Sequence, residues 1–269
     1  MFKDVKEKHW YYEKVNQAAK YGLMMGVGNE EFEPERAPTR AELAAVSVRL
    51  YKLIAPQFKN IIDKILPSIV QIENYGTGAV GSGTIIHPNG YVLTNQHVVE
   101  GVEDYEPFGF VAFRTPDRET WGSPYAEGPL LAESEELDLA ICQIKLPKED
   151  FPTVKIQSGK PDQAERVVAV GSPFGFIQSV SEGMVSAIRY VRLTQDLEAD
   201  VFVQTDAEIN PGNSGGILAN KQGSLIGVPT LKLTNAEGMG FCIGTPVVLE
   251  FIQKNIDNGT LPEELREIL

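Results

Sequence analysis

The sequence predicts a mainly β protein preceded by a small α-helical piece. Two observations carry this. From Ile61 onward, short apolar runs alternate with Gly, Pro and Asn signals, the texture of a barrel pair or sandwich rather than of βαβ units. Before residue 55, apolar residues recur at helical spacing instead. Composition agrees: 42% hydrophobic and 23% charged residues suit a globular protein, and 269 residues suffice for a core plus a smaller module.

The helical piece comes first. Between Trp10 and Tyr21 the residues Trp10, Val15, Ala18 and Ala19 make an apolar stripe, and Gly22 is a suitable C′ stop. After the loop "GVGNEEFEPERAP", the run "TRAELAAVSVRLYKLI" predicts a second helix. Thr39 caps it, Glu42 at N3 closes a capping box, and Leu43, Val46 and Leu50 form its apolar stripe. Two short helices bury little surface, so this piece should lean on a neighbour or on copies of itself. The segment "LIAPQFKN" marks a linker. The predicted divisions are a helical module at 1–55, a linker at 56–62, a β domain at 63–256 and a short tail at 257–269.

The β runs follow in order: "SIVQIE", "GSGTIIH" turning at "PNG" into "YVLTN", "LAICQIK", "RVVAVGS", "VFVQTD", and "GGILAN" turning at "KQG" into "SLIGVP". The chain ends with a helix, a turn at Asn258–Gly259 and an acidic amphipathic segment.

Charge and cysteines narrow the function classes. A net charge of −13 argues against nucleic acid or an anionic membrane as the main partner. No run approaches the roughly 18 consecutive apolar residues of a membrane span. Cys142 and Cys242 each sit in an apolar run and read as buried thiols. With three scattered histidines, His9, His87 and His97, they assemble no metal cluster, and no cofactor is expected.

Chemistry concentrates in "DAEINPGNSGGIL". A nucleophilic hydroxyl needs an exposed turn, a base within reach and donors for the oxyanion that forms. The glycines around Ser214 supply the turn, with Gly212 letting its own N–H and that of Ser214 face one point. Taken alone this is equally a glycine-rich turn with a chance serine. His97, in "YVLTNQHVVEG", is the histidine in a strand-to-turn setting. Asp138, in "EELDLAICQI", opens an apolar strand and can be buried there only with hydrogen-bond partners, which an imidazole would supply. The order His, Asp, Ser, each in a β context, points to acyl-transfer chemistry.

The blocks "GSGTIIHPNGYVLTNQHVV", "LDLAICQIK", "VVAVGSPFGFIQSVSEGMVSAI", "FVQTDAEINPGNSGGIL" and "GMGFCIGTPV" resemble the trypsin-like serine proteases of the HtrA/Deg group over about residues 65–252. The resemblance implies two six-stranded antiparallel β-barrels with the active site between them. It implies endopeptidase action on proteins, with Ser214 as nucleophile, His97 as base then acid, and Asp138 holding the imidazole tautomer. Hydrolysis by this set should fail as His97 protonates. The oxyanion hole would be the N–H groups of Gly212 and Ser214, with Asn213 between them. Substrate would add to "GVPTLKL" as a strand, which makes Val228, Pro229 and Thr230 candidate contacts. The loops "GSPFGF" and "LTNAEG" would border them. No PDZ domain is expected in the short segment after Pro246.

Glu208 departs from the group, whose members commonly have a small apolar residue at this place, six before the serine. A carboxylate at the base of the S1 pocket would favour Arg or Lys at P1. If Glu208 turns to solvent, P1 stays small and aliphatic.

The start, with "FKDV", "HWYY", "GLMMG", "FEP" and "TRAE", resembles one S-layer homology module over about residues 2–53. Such modules occur in threes and bind pyruvylated secondary cell-wall polysaccharide. That makes Arg40 a candidate contact to the anion, or else a local partner of Glu35 or Glu42. A homo-oligomer, a trimer above all, would bring three modules together. A wall-type module favours the cell surface, whereas "MFKDVKEKHWYY" lacks a signal-peptide apolar region and would place the protein inside the cell if Met1 is the native start. The rival to a protease is a wall-binding or scaffold protein on a poorly active protease fold; the intact His97, Asp138, Ser214 and Gly212 set argues against it.

Overall fold

The computed structural model describes residues 2–101, 108–111, 126–145, 151–173, 176, 178–190, 201–232 and 238–269. It divides into two compact units, residues 1–60 and 61–269.

The smaller unit holds helix α1 (Tyr12–Lys20) and most of helix α2 (Arg40–Ile65). The predicted capping box forms: Thr39 N–H donates to Glu42 Oε2 at 2.7 Å, and Glu42 N–H donates back to Thr39 Oγ1 at 3.2 Å. Two expectations need correction. The linker placed at 56–62 lies inside α2, which continues through Pro56 although that residue cannot donate to the carbonyl one turn earlier. The apolar stripes are buried only in part: Val15 lies in the core and Ala18, Ala19 and Val46 are half-buried, but Trp10 is 78% and Leu43 53% exposed. The core of this unit is Val5, Tyr11 and Val15, with Phe2, Tyr12 and Phe32 against it.

In the larger unit, β1 (Ile69–Glu73), β2 (Val80–His87), β3 (Tyr91–Thr94), β4 (Phe108–Val111), β5 (Ala126–Gly128), β6 (Leu130–Ser134) and β7 (Leu139–Gln143) form one antiparallel sheet, ordered β5-β4-β1-β2-β3-β7-β6. Next come β8 (Arg166–Gly171), β9 (Ser179–Arg189), β10 (Phe202–Thr205), β11 (Ile217–Asn220), β12 (Leu225–Lys232) and β13 (Gly240–Gly244). These close into a barrel, ordered β10-β13-β12-β11-β8-β9. Two six-stranded barrels are therefore met by one closed barrel and one seven-stranded sheet. Pro129 explains the count. It lacks a donor for the ladder and separates β5 from β6, which lie at opposite edges of the sheet. Beside it a single bridge, Glu127 to Lys145, draws those edges together.

Each sheet packs a core of its own. One holds Val70, Ile72, Ile85, Val92 and Cys142, and the other Val167, Val185, Val203, Leu218 and Cys242. β-Branched residues dominate because they suit a pleated, buried surface. Helix α4 (Thr245–Asp257) follows the barrel, and a 3₁₀ turn at Glu263–Ile268 follows it. The predicted tail is firmly docked: Leu261 and Leu265 are buried, and the Tyr91 hydroxyl donates to Glu264 Oε1 at 2.5 Å.

Candidate active site

β3 and β7 are neighbours, with Thr94 opposite Ala140, so the residues just past Thr94 and just before Leu139 meet at one end of the first sheet. There the chain turns into the one-turn helix α3 (Gln96–Val99), anchored by buried Val98 and Val99. The turn aims His97 at Asp138. The imidazole Nδ1 lies 2.8 Å from Asp138 Oδ1 and 3.0 Å from Oδ2. The backbone N–H of His97 donates to the same Oδ1 at 3.1 Å. Asp138 itself has φ +51°, a left-handed conformation uncommon outside glycine. Its buried carboxylate has a third donor, the Thr230 hydroxyl.

Ser214 sits in a turn held from both sheets. Within the turn, Asn213 N–H donates to Asn210 O and Gly216 N–H to Asn213 O, each at 2.9 Å. From β2, Ser82 N–H donates to Ser214 O at 2.8 Å, while the Ser82 hydroxyl donates to Gly212 O at 2.6 Å. Gly212 has φ +99° and Gly215 φ +80°. A Cβ on Gly215 would stand 2.2 Å from both Ser82 O and Thr94 Oγ1, so the close approach of this turn to the first sheet requires glycine. Neither the Gly212 nor the Ser214 amide donates to an acceptor among the described residues, which leaves both available to a ligand oxygen.

Thr230 joins the two halves. The β12–β13 register steps from Pro229–Cys242 to Leu231–Phe241, so Thr230 is the extra residue of a bulge and its carbonyl falls outside that ladder. That carbonyl accepts the Ser214 hydroxyl at 3.4 Å, while its own hydroxyl serves Asp138. Asp138, which holds His97, and Ser214 thus share Thr230 as a partner. The Ser214 hydroxyl rests on Thr230, not on His97.

The strand offered as the substrate wall plays a different part from the expected one. Val228 is fully buried, the Pro229 carbonyl is taken by Gly215 N–H at 3.0 Å, and the Thr230 side chain is buried behind Asp138. Leu233 to Glu237 in "LTNAEG", and Phe174 and Gly175 in "GSPFGF", lie outside the described residues.

Glu208 is exposed rather than buried and unpaired, and its Oε1 accepts Asn210 Nδ2–H at 3.1 Å. With Asp206, Ile209, Met239 and Gly240 it lines a cavity of about 350 Å³ beside the serine turn, to which Asn213 ties it by donating to Glu208 O at 3.3 Å. In the smaller unit Arg40 is exposed and makes no ion pair among the described residues. Arg36 takes Glu33 and Glu42, both at 2.6 Å, and lines a concavity of about 520 Å³ with Asp4, Lys6, His9, Tyr11 and Glu35. Arg40 is not among its lining residues.

Burial pushes the thiols of Cys142 and Cys242 well up, with Glu133 adding to the shift at Cys142, so neither competes as a nucleophile. Three contributors were missed in the sequence: Ser82, Asn95 and the Thr230 hydroxyl. Ser82, a polar residue inside the apolar run of β2, was the one with a visible signal.

Residues 81–228 match the family model for the trypsin-like peptidase domain, and residues 2–44 that for the S-layer homology domain. A probable periplasmic serine endoprotease DegP-like of Pseudomonas savastanoi pv. phaseolicola is 34% identical over 203 residues, 72% of this chain and 39% of that protein. The serine endoprotease DegS of Haemophilus influenzae is 30% identical over 221 residues, 75% of this chain and 61% of that protein. The chain thus spans less than two thirds of these relatives' lengths. Among solved structures, the HtrA-type protease AlgW with tripeptide superposes with a TM-score of 0.64 at 31% identity, covering 75% of this chain and 64% of that one. A peptidase-domain match across more than half the chain, on a fold in which one bulge residue bonds the serine and the aspartate that holds the histidine, shows that the chain belongs to the trypsin-like serine peptidases of HtrA/Deg type and carries an S-layer homology domain before its peptidase domain.

Proposed function

We propose that this protein is a serine endopeptidase that cleaves protein substrates through an acyl-enzyme. The observation carrying this is the doubly held Asp138–His97 pair beside a serine turn with two undonated amides. Ser214 Oγ attacks the scissile carbonyl while His97 Nε2 takes its proton, and Asp138 holds the Nδ1–H tautomer and stabilises the imidazolium. The Gly212 and Ser214 amides stabilise the oxyanion. His97 then protonates the leaving amine, and water repeats the sequence on the ester. To begin, the Ser214 hydroxyl must leave the Thr230 carbonyl for His97 Nε2; at 3.4 Å the bond it gives up is weak. A fluorophosphonate probe tests the reading. It should label the wild type and not Ser214→Ala, whose turnover should drop about 10⁴-fold or more. An unlabelled wild type would favour the scaffold alternative.

Glu208 is exposed and its carboxylate is held by Asn210, the case in which P1 stays small and aliphatic. A cleavage library yielding only Arg or Lys at P1 would overturn that preference.

For the smaller unit the reading is attachment and self-association. The exposed Trp10, Tyr21, Met25, Leu43 and Leu50 favour pooling of apolar faces, a trimer by preference. Arg40, exposed and in no ion pair among the described residues, is the better candidate contact to an anionic wall polysaccharide than Arg36, whose guanidinium is already taken by Glu33 and Glu42. A monomeric mass in solution at micromolar concentration would remove the trimer.

A further inference from the structure

Asn95 breaks a local rule in a way that serves the site. It is the N-cap of α3, in extended conformation, and asparagine is among the best residues there because its side-chain oxygen accepts an amide of the first turn. Here it makes no such bond. The side chain turns away and donates through Nδ2 to the Asp138 backbone carbonyl at 2.8 Å. Only the NH₂ end of the amide can face a carbonyl, so the orientation is fixed, and Oδ1 is left buried without a partner. A buried orphan acceptor typically costs about 1–3 kcal/mol. The second amide of the turn, which Asn95 would ordinarily cap, belongs to His97 and is taken by Asp138 Oδ1 instead.

The two residues have exchanged duties. Asp138 caps the turn that carries His97, and Asn95 holds the backbone of Asp138. The exchange is directional, because the carboxylate that caps the amide also receives the imidazole Nδ1. Any movement of the Asp138 backbone would loosen both bonds together. That backbone sits at φ +51°, a left-handed conformation that aspartate adopts more readily than most residues but which still needs local bonds to hold it. Its own N–H donates to Glu135 O at 3.2 Å, its carbonyl receives Asn95, and its carboxylate receives His97 and Thr230. Asn95 is the partner that grips the main chain from the histidine side.

We propose that Asn95 is a positioning residue for the Asp138–His97 pair, acting through the Asp138 carbonyl; this rests on the triad reading above. It spends its capping capacity on aiming a carboxylate, which explains why an orphaned oxygen persists at 0% exposure beside the site.

The test compares the full-length wild type with Asn95→Leu and Asn95→Asp, two near-isosteric changes that remove the donor. Three quantities are read: the rate of fluorophosphonate labelling of Ser214, the thermal transition, and the downfield imidazole N–H proton resonance that His97→Ala abolishes. The expectation is labelling slowed about 10²-fold in folded variants, the cost of a displacement on the order of 1 Å at a reacting group. The resonance should shift or broaden as the Nδ1–H bond loosens. Labelling at the wild-type rate with an unmoved resonance in a folded variant overturns the proposal. If neither variant folds, the wild type still decides: the Asn95 amide protons should exchange slowly, and solvent-like exchange refutes the bond. If the wild type is not labelled at all, the protease reading fails, while the resonance comparison still judges Asn95.

Discussion

The two units divide apolar side chains very unequally. In residues 61–269, Ile69, Ile141, Phe202 and Phe251 are fully buried, and each sheet encloses its own cluster. In residues 1–60 the buried cluster is Val5, Tyr11 and Val15, while Trp10, Tyr21, Met25, Leu43 and Val48 face solvent. Buried apolar area offsets chain ordering at about 25 cal/mol per Å², so the larger unit carries its own stability and the smaller has little margin. Chemistry that demands sub-ångström placement is found where packing is self-sufficient. Exposed apolar surface and local caps are found where it is not.

The contrast breaks most sharply at Gly215. Gly215→Ala sets a methyl 2.2 Å from the Ser82 carbonyl oxygen and from Thr94 Oγ1 at φ +80°, and neither yields cheaply, since one is backbone and the other is a hydroxyl bonded to it. The larger unit should lose about 3 kcal/mol or more in urea unfolding, and its folded fraction should not take the fluorophosphonate probe. A loss under about 1 kcal/mol would mean that the serine turn and the first sheet are less tightly apposed than described.

Leu265→Ala comes next. The side chain is fully buried although the tail is short and acidic, and its removal should cost the same unit about 2–4 kcal/mol by leaving a cavity. A change within about 0.5 kcal/mol would return the tail to the status of a surface appendage. Val15→Ala in the smaller unit should cost less, about 1–2 kcal/mol, and in calorimetry should move only the transition of residues 1–60. A single transition, shifted as a whole, would show that the units unfold together.

Much of this contrast could be read in the sequence, for physical reasons that differ from residue to residue. The capping box at Thr39 and Glu42 and the hairpin at "PNG" are local, so a few residues suffice to specify them. Asp138 could be found because an acid opening an apolar strand must have partners. Thr230 was misassigned because a bulge is a property of strand pairing, and nothing in "GVPTLKL" says which residue the ladder skips. Pro56 suggested a break because a missing donor ordinarily ends a helix, yet α2 continues. Trp10 fitted the helical period that buries Val15, but α1 begins only at Tyr12, so Trp10 stays in solvent. Asn95 carried no signal of its own in the sequence, and only the strand pairing of β3 with β7 reveals where its side chain goes.

The smallest expected effect sharpens the comparison from the weaker side. The Arg36 guanidinium, then the Thr39 amide and hydroxyl, hold the Glu42 carboxyl down at about 2. A carboxyl more acidic in the folded than in the unfolded chain adds stability that is complete above the ordinary carboxylate range. That stability drains away as pH falls toward the folded value. Between about pH 5 and pH 2 the wild-type smaller unit should therefore lose its margin progressively. Glu42→Gln cannot titrate at this position, so it should start less stable at neutral pH and lose less on acidification, with the two melting curves converging near pH 2. The same substitution should leave fluorophosphonate labelling unchanged, since the carboxyl belongs to residues 1–60 and the probe reacts in residues 61–269. Parallel curves that never converge would assign the value of the capping box to shape rather than charge. A helix start in the marginal unit would then be held by the same kind of fit that holds the core of the other.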